Sequence, residues 1–390
     1  MSVTAPAGFT AAGVACGIKA SGASDLALVA TDDSAAVPAA GVFTANLATA
    51  APVQVSRRHL ELSAGHAAAV VLSSGNANAA TGARGMADAT RMCELVAGGI
   101  GAETTEVLVC QTGLIGIPLP MTCLETGIPA LVAARGGGPE AGAAAATAIM
   151  TTDTFAKEVV VRGDGFVVGG MAKGAAMLAP NMATMLAVLT TDAVAEPAAL
   201  LSALRAGVAG SFNRMTVDGC TSTNDTVLVL ASGRSGAAPG PDALAASLAD
   251  ACGVLAEMMA RDAEGATKVA NIVVTGARSD DEAHRAARRV AESALVKCSL
   301  NGEDPYWGRV VSELGSAGVG FDPDRVAVSY GGIAVCRDGV AAAHDQAAVA
   351  DHMAGATIEI LCDLGLGPGR GVALTCDLGH GYIDENRTTS

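Results

Sequence analysis

Aromatic side chains are scarce in this chain: six Phe, three Tyr and one Trp make up 3% of 390 residues. A core without them has to be filled by small aliphatic side chains on closely approaching backbones, and Ala, Val, Leu and 48 glycines supply both. Positive charge is short as well, with 24 Lys and Arg against 39 Asp and Glu, a net charge of −15 (24 − 39). No Lys/Arg stripe interleaved with aromatics occurs, which argues against nucleic acid and anionic membrane surfaces as partners.

Metal and redox signatures are missing too. The ten cysteines show neither CxxC nor paired-ligand spacing, so they read as buried free thiols. The histidines at 59, 66, 284, 344, 352 and 380 form no HExxH or HxxxH, and no acidic cluster has metal-loop spacing; neither a metal nor another cofactor is expected. A GxSxG elbow and a GxxxxGK[ST] loop are both absent, and Gly367–Gly371 reads as a tight turn between strands Ile358–Cys362 and Val372–Thr375. The start, MSVTAPAGFTAAGVACGIKASG, has no cationic region before an apolar segment, which points to the cytoplasm. The uncharged run Gly174–Thr191 approaches transmembrane length, but Pro180, Asn181 and its threonines suit burial in protein rather than lipid.

What is present is a mixture of strand and helix signals. Strands are predicted at Ala69–Leu72, Val107–Cys110, Val159–Val161, Phe166–Val168, Thr226–Leu230, Ile272–Thr275 and Val326–Tyr330. Helices are predicted at Met86–Ala97, Pro197–Val208, Asp242–Ala263 and Asp280–Val290. The pattern predicts an α/β fold, and the length suffices for two cores or one large layered domain. Gly163-Asp164-Gly165 reads as a hairpin turn that delivers the chain into Gly169–Gly174. Arg135–Pro139 and Ser232–Pro241 are the best linker candidates, and neither is long enough to define a boundary.

The segment richest in chemistry is GGMAKGAAMLAPNMATMLAVLTTD, residues 169 to 192. Taken alone, Thr184 is a β-branched core residue, Lys173 a loop lysine, Thr112-Gly113 a strand-ending turn, Thr151 a locally bonded hydroxyl and Glu264 a helix-end carboxylate. Yet the segment resembles the cleavage region of the ornithine acetyltransferase (glutamate N-acetyltransferase) family. The resemblance continues in order through GFTAAGVACGIKASGASDLALV, GVFTANLATAAPV, SSGNANAATG, QTGLIG, AIMTTDT, TSTNDT, DAEGATK and DPYWGR, so it covers essentially the whole chain.

The resemblance implies layered mixed sheets with helices, as in the N-terminal-nucleophile-like aminopeptidase group. It implies self-cleavage between Ala183 and Thr184, giving an α chain of residues 1–183 and a β chain of 184–390, paired as α2β2. Cutting there has a chemical rationale: a Thr hydroxyl is a weak nucleophile near neutral pH, and a freed α-amine, titrating near ~8 against ~10.4 for lysine, is a base made from the backbone. Thr184 would take acetyl from N-acetylornithine and pass it to glutamate by ping-pong chemistry. Thr112 and Gly113 match the family's oxyanion-stabilising pair, while Thr151, Lys173, Glu264, Asn386 and Ser390 match its substrate-binding positions. The chain departs from the family pattern at Gln111, Ala176, Cys220 and Tyr306, and its tail is one residue shorter after Asn386. No CoA-binding motif is readable. Two alternatives stay open: an amidohydrolase or aminopeptidase using the same N-terminal threonine, and a non-catalytic amino-acid-binding relative.

Overall fold

The computed structural model describes residues 2–178 and 185–387. The chain forms two compact units, one from the N-terminal residues through Asn213 together with Thr221–Met259, the other from Arg214–Cys220 and Ala260 onward. The boundary after Met259 falls inside the helix Pro241–Arg261, and neither Gly/Pro-rich linker candidate lies at a boundary.

In the first unit the described strands are β1 (Phe9–Val14), β2 (Leu26–Thr31), β3 (Val37–Phe43), β4 (His66–Ala67), β5 (Ala69–Asn76), β6 (Val107–Leu114), β7 (Lys157–Arg162), β8 (Val167–Lys173), β9 (Leu186–Thr191) and β10 (Thr226–Ala231). They form two mixed sheets, ordered β1-β2-β5-β6 and β4-β3-β10-β9-β8-β7. The β5/β6 and β9/β10 pairs are parallel, and the other neighbours are antiparallel. One apolar cluster joins Val29, Val70 and Leu108 of the first sheet to Met171, Val188 and Leu228 of the second, so the two sheets pack face to face. On the other side of the first sheet a second cluster draws Val55, Met92 and Leu124 from the helices Ala51–Leu62, Gly82–Ile100 and Met121–Ala133. Strands covered on both faces need no alternation, which is why β2, β9 and β10 are buried at every residue.

The predicted Gly163–Gly165 turn joins β7 to β8, with Arg162 opposite Val167 and Gly165 at φ +77°. Helix Pro197–Gly210 begins on its proline. Helix Pro241–Arg261 is the one described helix long and apolar enough to cross a bilayer, yet Leu244, Leu248 and Leu255 are buried in the protein. From the uncharged run, β9 is buried as expected, and residues 179–184 lie outside the described residues.

The second unit holds β11 (Val269–Ala277), β12 (Ala327–Tyr330), β13 (Ile333–Arg337), β14 (Val340–Ala341), β15 (Thr357–Asp363) and β16 (Gly369–Cys376), in the order β14-β13-β12-β15-β11-β16. Its core combines Ile272, Val328 and Ile360 with Ala287 and Val290 of the helix Asp280–Glu292. The turn expected over Gly367–Gly371 is displaced, because β16 already begins at Gly369. A side chain at Gly369 or Gly371 would collide with the backbone of Ser279 or of Ala283 and His284, so these glycines let the helix lie close on β16. The thiol expectation also needs correcting: Cys220 and Cys298 are exposed, and Cys16 and Cys123 are only partly buried.

Candidate active site

The end of β8 carries Lys173, 3% exposed, into the first unit's interior. Its Nζ donates to the Thr151 hydroxyl at 2.7 Å and to the Thr112 hydroxyl at 3.2 Å. Three residues far apart in sequence, singled out on motif alone, therefore meet around one ammonium group. Thr112 and Gly113 sit at the end of β6, where the pairing with β5 becomes irregular at Gly75 and Asn76. Gly113 has φ +129°, and a Cβ there would stand on the Gly75 and Asn76 backbone, so only glycine lets the two strand ends approach.

Beneath this group lies Asp153, which the motif reading passed over. Its carboxylate accepts from Lys157 Nζ at 2.6 Å, Gly174 N at 2.8 Å and Thr151 N at 3.0 Å. It thereby ties together the residue after Lys173, the loop bearing Thr151, and a lysine with no exposed side-chain surface. Burial raises its pKa, but the Lys173 and Lys157 charges and the donated hydrogen bonds outweigh that and hold it down to about 2. An acid directly after two possible hydroxyl partners, Thr151 and Thr152, reads as a local turn, and only the fold shows the two lysines around it.

Two further networks were not legible. Asp25, fully buried, accepts from the amides of Cys16, Gly17, Ile18 and Lys19 at 2.6 to 3.1 Å and so folds the CGIK turn. Partial burial first, and then the neighbouring Lys173 charge, push the Lys19 pKa down against the pull of Asp25. Asn224 donates to the carbonyls of Ala77 and Gln111 at 2.6 and 2.9 Å, fixing the residue before Thr112. Gln111, one of the departures from the family pattern, is buried with its amide bonded to Ser73 and its oxygen accepting from Asn78, and serves packing.

In the second unit Glu264, 8% exposed, accepts from Asn386 Nδ2 at 2.7 Å, so these two predicted binding residues are brought together. Gly265, at φ +65°, lies against the Gly381 and Tyr382 backbone, holding the acidic turn on the helix His380–Glu385. Burial first, then the nearby Asp218, Cys220 and Glu264, push the Tyr382 phenol up to about 12. Cys220, another departure, is exposed beside this group, and Tyr306 stacks on Arg309 at 5.7 Å. Ala183, Thr184 and Ser390 lie outside the described residues. Among the described residues no cluster of three or more His, Cys, Asp or Glu is arranged to hold a metal ion.

The model of the ArgJ family matches residues 10–388. The arginine biosynthesis bifunctional protein ArgJ of Mycolicibacterium paratuberculosis is 50% identical over 394 residues, covering 100% of this chain and 96% of that protein. The protein of the same name from Streptomyces coelicolor is 47% identical over 390 residues, covering both chains completely. Among solved structures, ArgJ from Bacillus halodurans is 34% identical, covering 51% of this chain and 96% of that one, with a TM-score of 0.49. An ornithine acetyltransferase from Mycobacterium tuberculosis, complexed with ornithine, is 46% identical, covering 46% and 94%, with a TM-score of 0.41.

Proposed function

The chain belongs to the ArgJ family, and on that premise we propose that it is a glutamate N-acetyltransferase that moves acetyl from N-acetylornithine to glutamate through Thr184. The observation that carries the reading at the site is the buried Lys173 ammonium shared by the Thr112 and Thr151 hydroxyls, eleven residues before Thr184 in the chain. A buried ammonium with hydroxyl neighbours suits an α-carboxylate, the group that both amino-acid substrates share.

In the proposed sequence the Thr184 hydroxyl attacks the Ala183 carbonyl, the C–N bond breaks as the C–O bond forms, and water hydrolyses the resulting ester. This leaves a carboxylate on Ala183 and an α-amine on Thr184, which titrates near ~8 and serves as the base. In turnover that amine takes the hydroxyl proton as Thr184 attacks the acetyl carbonyl of N-acetylornithine, and returns it to the departing amine of ornithine. Glutamate's amine then attacks the acetyl-Thr184 ester, giving N-acetylglutamate. Thr112 and Gly113 hold the oxyanion of each tetrahedral intermediate, a donor set worth about 3 kcal/mol per hydrogen bond. Glu264, Asn386 and Ser390 complete the substrate contacts, and the cleaved chains assemble as α2β2 in the cytoplasm.

Mass spectrometry of the purified protein tests this directly. Wild type is expected as two chains separated before residue 184, with the second gaining one acetyl on addition of N-acetylornithine and losing it on addition of glutamate. Thr184→Ala is expected to remain a single 38.2 kDa chain without adduct. Ornithine release at the same rate with and without glutamate would instead identify a hydrolase, and an intact, unmodified wild type would point to the non-catalytic reading.

A further inference from the structure

Met185, the residue joined covalently to Thr184, opens β9's approach to the sheet, and both polar groups of its backbone are held from β10's side. The Asp225 carboxyl accepts the Met185 N–H at 2.9 Å, and the Thr226 N–H donates to the Met185 carbonyl at 3.1 Å. The next residue, Leu186, pairs with Lys173 on one side and with Thr226 on the other. Asp225 is fully buried, and its second carboxyl oxygen has no hydrogen-bond partner among the described residues, although the Ser222 hydroxyl and Lys173 stand near it. A fully buried acid is expensive to keep, and one whose partners include the amide of the residue after Thr184 calls for a role.

We propose that Asp225 is the positioning residue for the nucleophile, its carboxyl and the Thr226 amide clamping the peptide that follows Thr184. The peptide unit joining Thr184 to Met185 is planar, so holding its N–H holds the plane from which the nucleophilic residue extends. One acceptor suffices for that task; burial pushes the carboxyl's pKa up, against the pull of the Met185 amide, the Ser222 hydroxyl and Lys173. What the clamp takes from Asp225 is the oxygen that accepts the Met185 N–H. The same clamp serves both steps, since the hydroxyl attacks first the Ala183 carbonyl and later the acetyl donor.

The inference rests on the reading of Thr184 as nucleophile, so wild type, Asp225→Asn and Asp225→Ala are to be compared side by side. Asp225→Ala removes the acceptor and is expected to slow cleavage before residue 184, and kcat of the cleaved fraction, by about 10²-fold with KM for N-acetylornithine little changed. Asp225→Asn keeps an oxygen able to accept the Met185 N–H and is expected to recover both rates to within about threefold of wild type. Thermal unfolding of each variant separates a loss of fold from a loss of positioning. Equal impairment of both variants at wild-type stability, or an unimpaired Asp225→Ala, overturns the proposal. A wild type that never cleaves overturns the functional reading instead.

Discussion

At Asp153 one carboxylate balances two lysines, and its environment fixes how the protein answers acid. The group has an ordinary pKa of 3.8 in the unfolded chain and about 2 in the folded one. A depressed folded pKa means stability that is fully present above about pH 4 and lost as pH falls through 2, about 2 kcal/mol in all. Asp153→Asn also takes the closest acceptor from Lys157, whose side chain is wholly buried, and is expected to lower the unfolding free energy near pH 7 by about 3 kcal/mol. Urea unfolding at a series of pH values checks both parts: the deficit of the variant should be largest near neutrality and shrink toward pH 2. A deficit independent of pH would mean that packing, and not charge, is what Asp153 supplies.

At the scale of elements, the proposed oxyanion pair Thr112 and Gly113 depends on how closely β5 and β6 end. Gly113→Ala would set a Cβ on the Gly75 and Asn76 backbone at a residue with φ +129°, so the strand ends must part and carry Thr112 with them. The expected result is a loss of about 10²–10³ in kcat, on the scale of removing an oxyanion donor. Gly116→Ala, at φ +85° with open space around it, is the control, expected to cost about 1 kcal/mol of stability by backbone strain while kcat holds. The comparison fails if both variants turn over alike. The element scale is also where the sequence was most readable. Turn-bounded, β-branched strands such as β6 and β10 were evident from composition and punctuation, and the helix beginning at Asp280 from its periodicity. Strand β9 was not, because burial on both faces removes alternation and its residues merge with the apolar run before it. β1, written FTAAGV, hid because alanine and glycine carry little strand preference. At the site, Lys173 stood out by its isolation among apolar residues, whereas Asp153, Asn224 and Asp225 sit in short Thr/Asn/Asp runs that read as turns until the sheets bring their partners in.

For the whole molecule, the position of the proposed cut matters because it does not fall between the two compact units. The six-stranded sheet of the first unit takes β3, β4, β7 and β8 from before residue 184 and β9 and β10 from after it. Two of its internal seams, β3/β10 and β8/β9, would therefore join the separate chains, and both lie in the middle of the sheet. The apolar layer beneath mixes Val70 and Leu108 with Val188 and Leu228, so neither chain owns a complete core. Cleavage is thus expected to leave one native particle: both chains should elute together in size-exclusion chromatography and part only in denaturant. Joining two strands of one fold without a covalent link also adds a dissociation step to the unfolding equilibrium, so the unfolding midpoint of the cleaved protein should fall more steeply on dilution than that of uncut Thr184→Ala. Elution of the two chains as separate folded species, or the same dilution dependence of the midpoint in both proteins, would show that the interleaved sheet is not what holds the cleaved chains together.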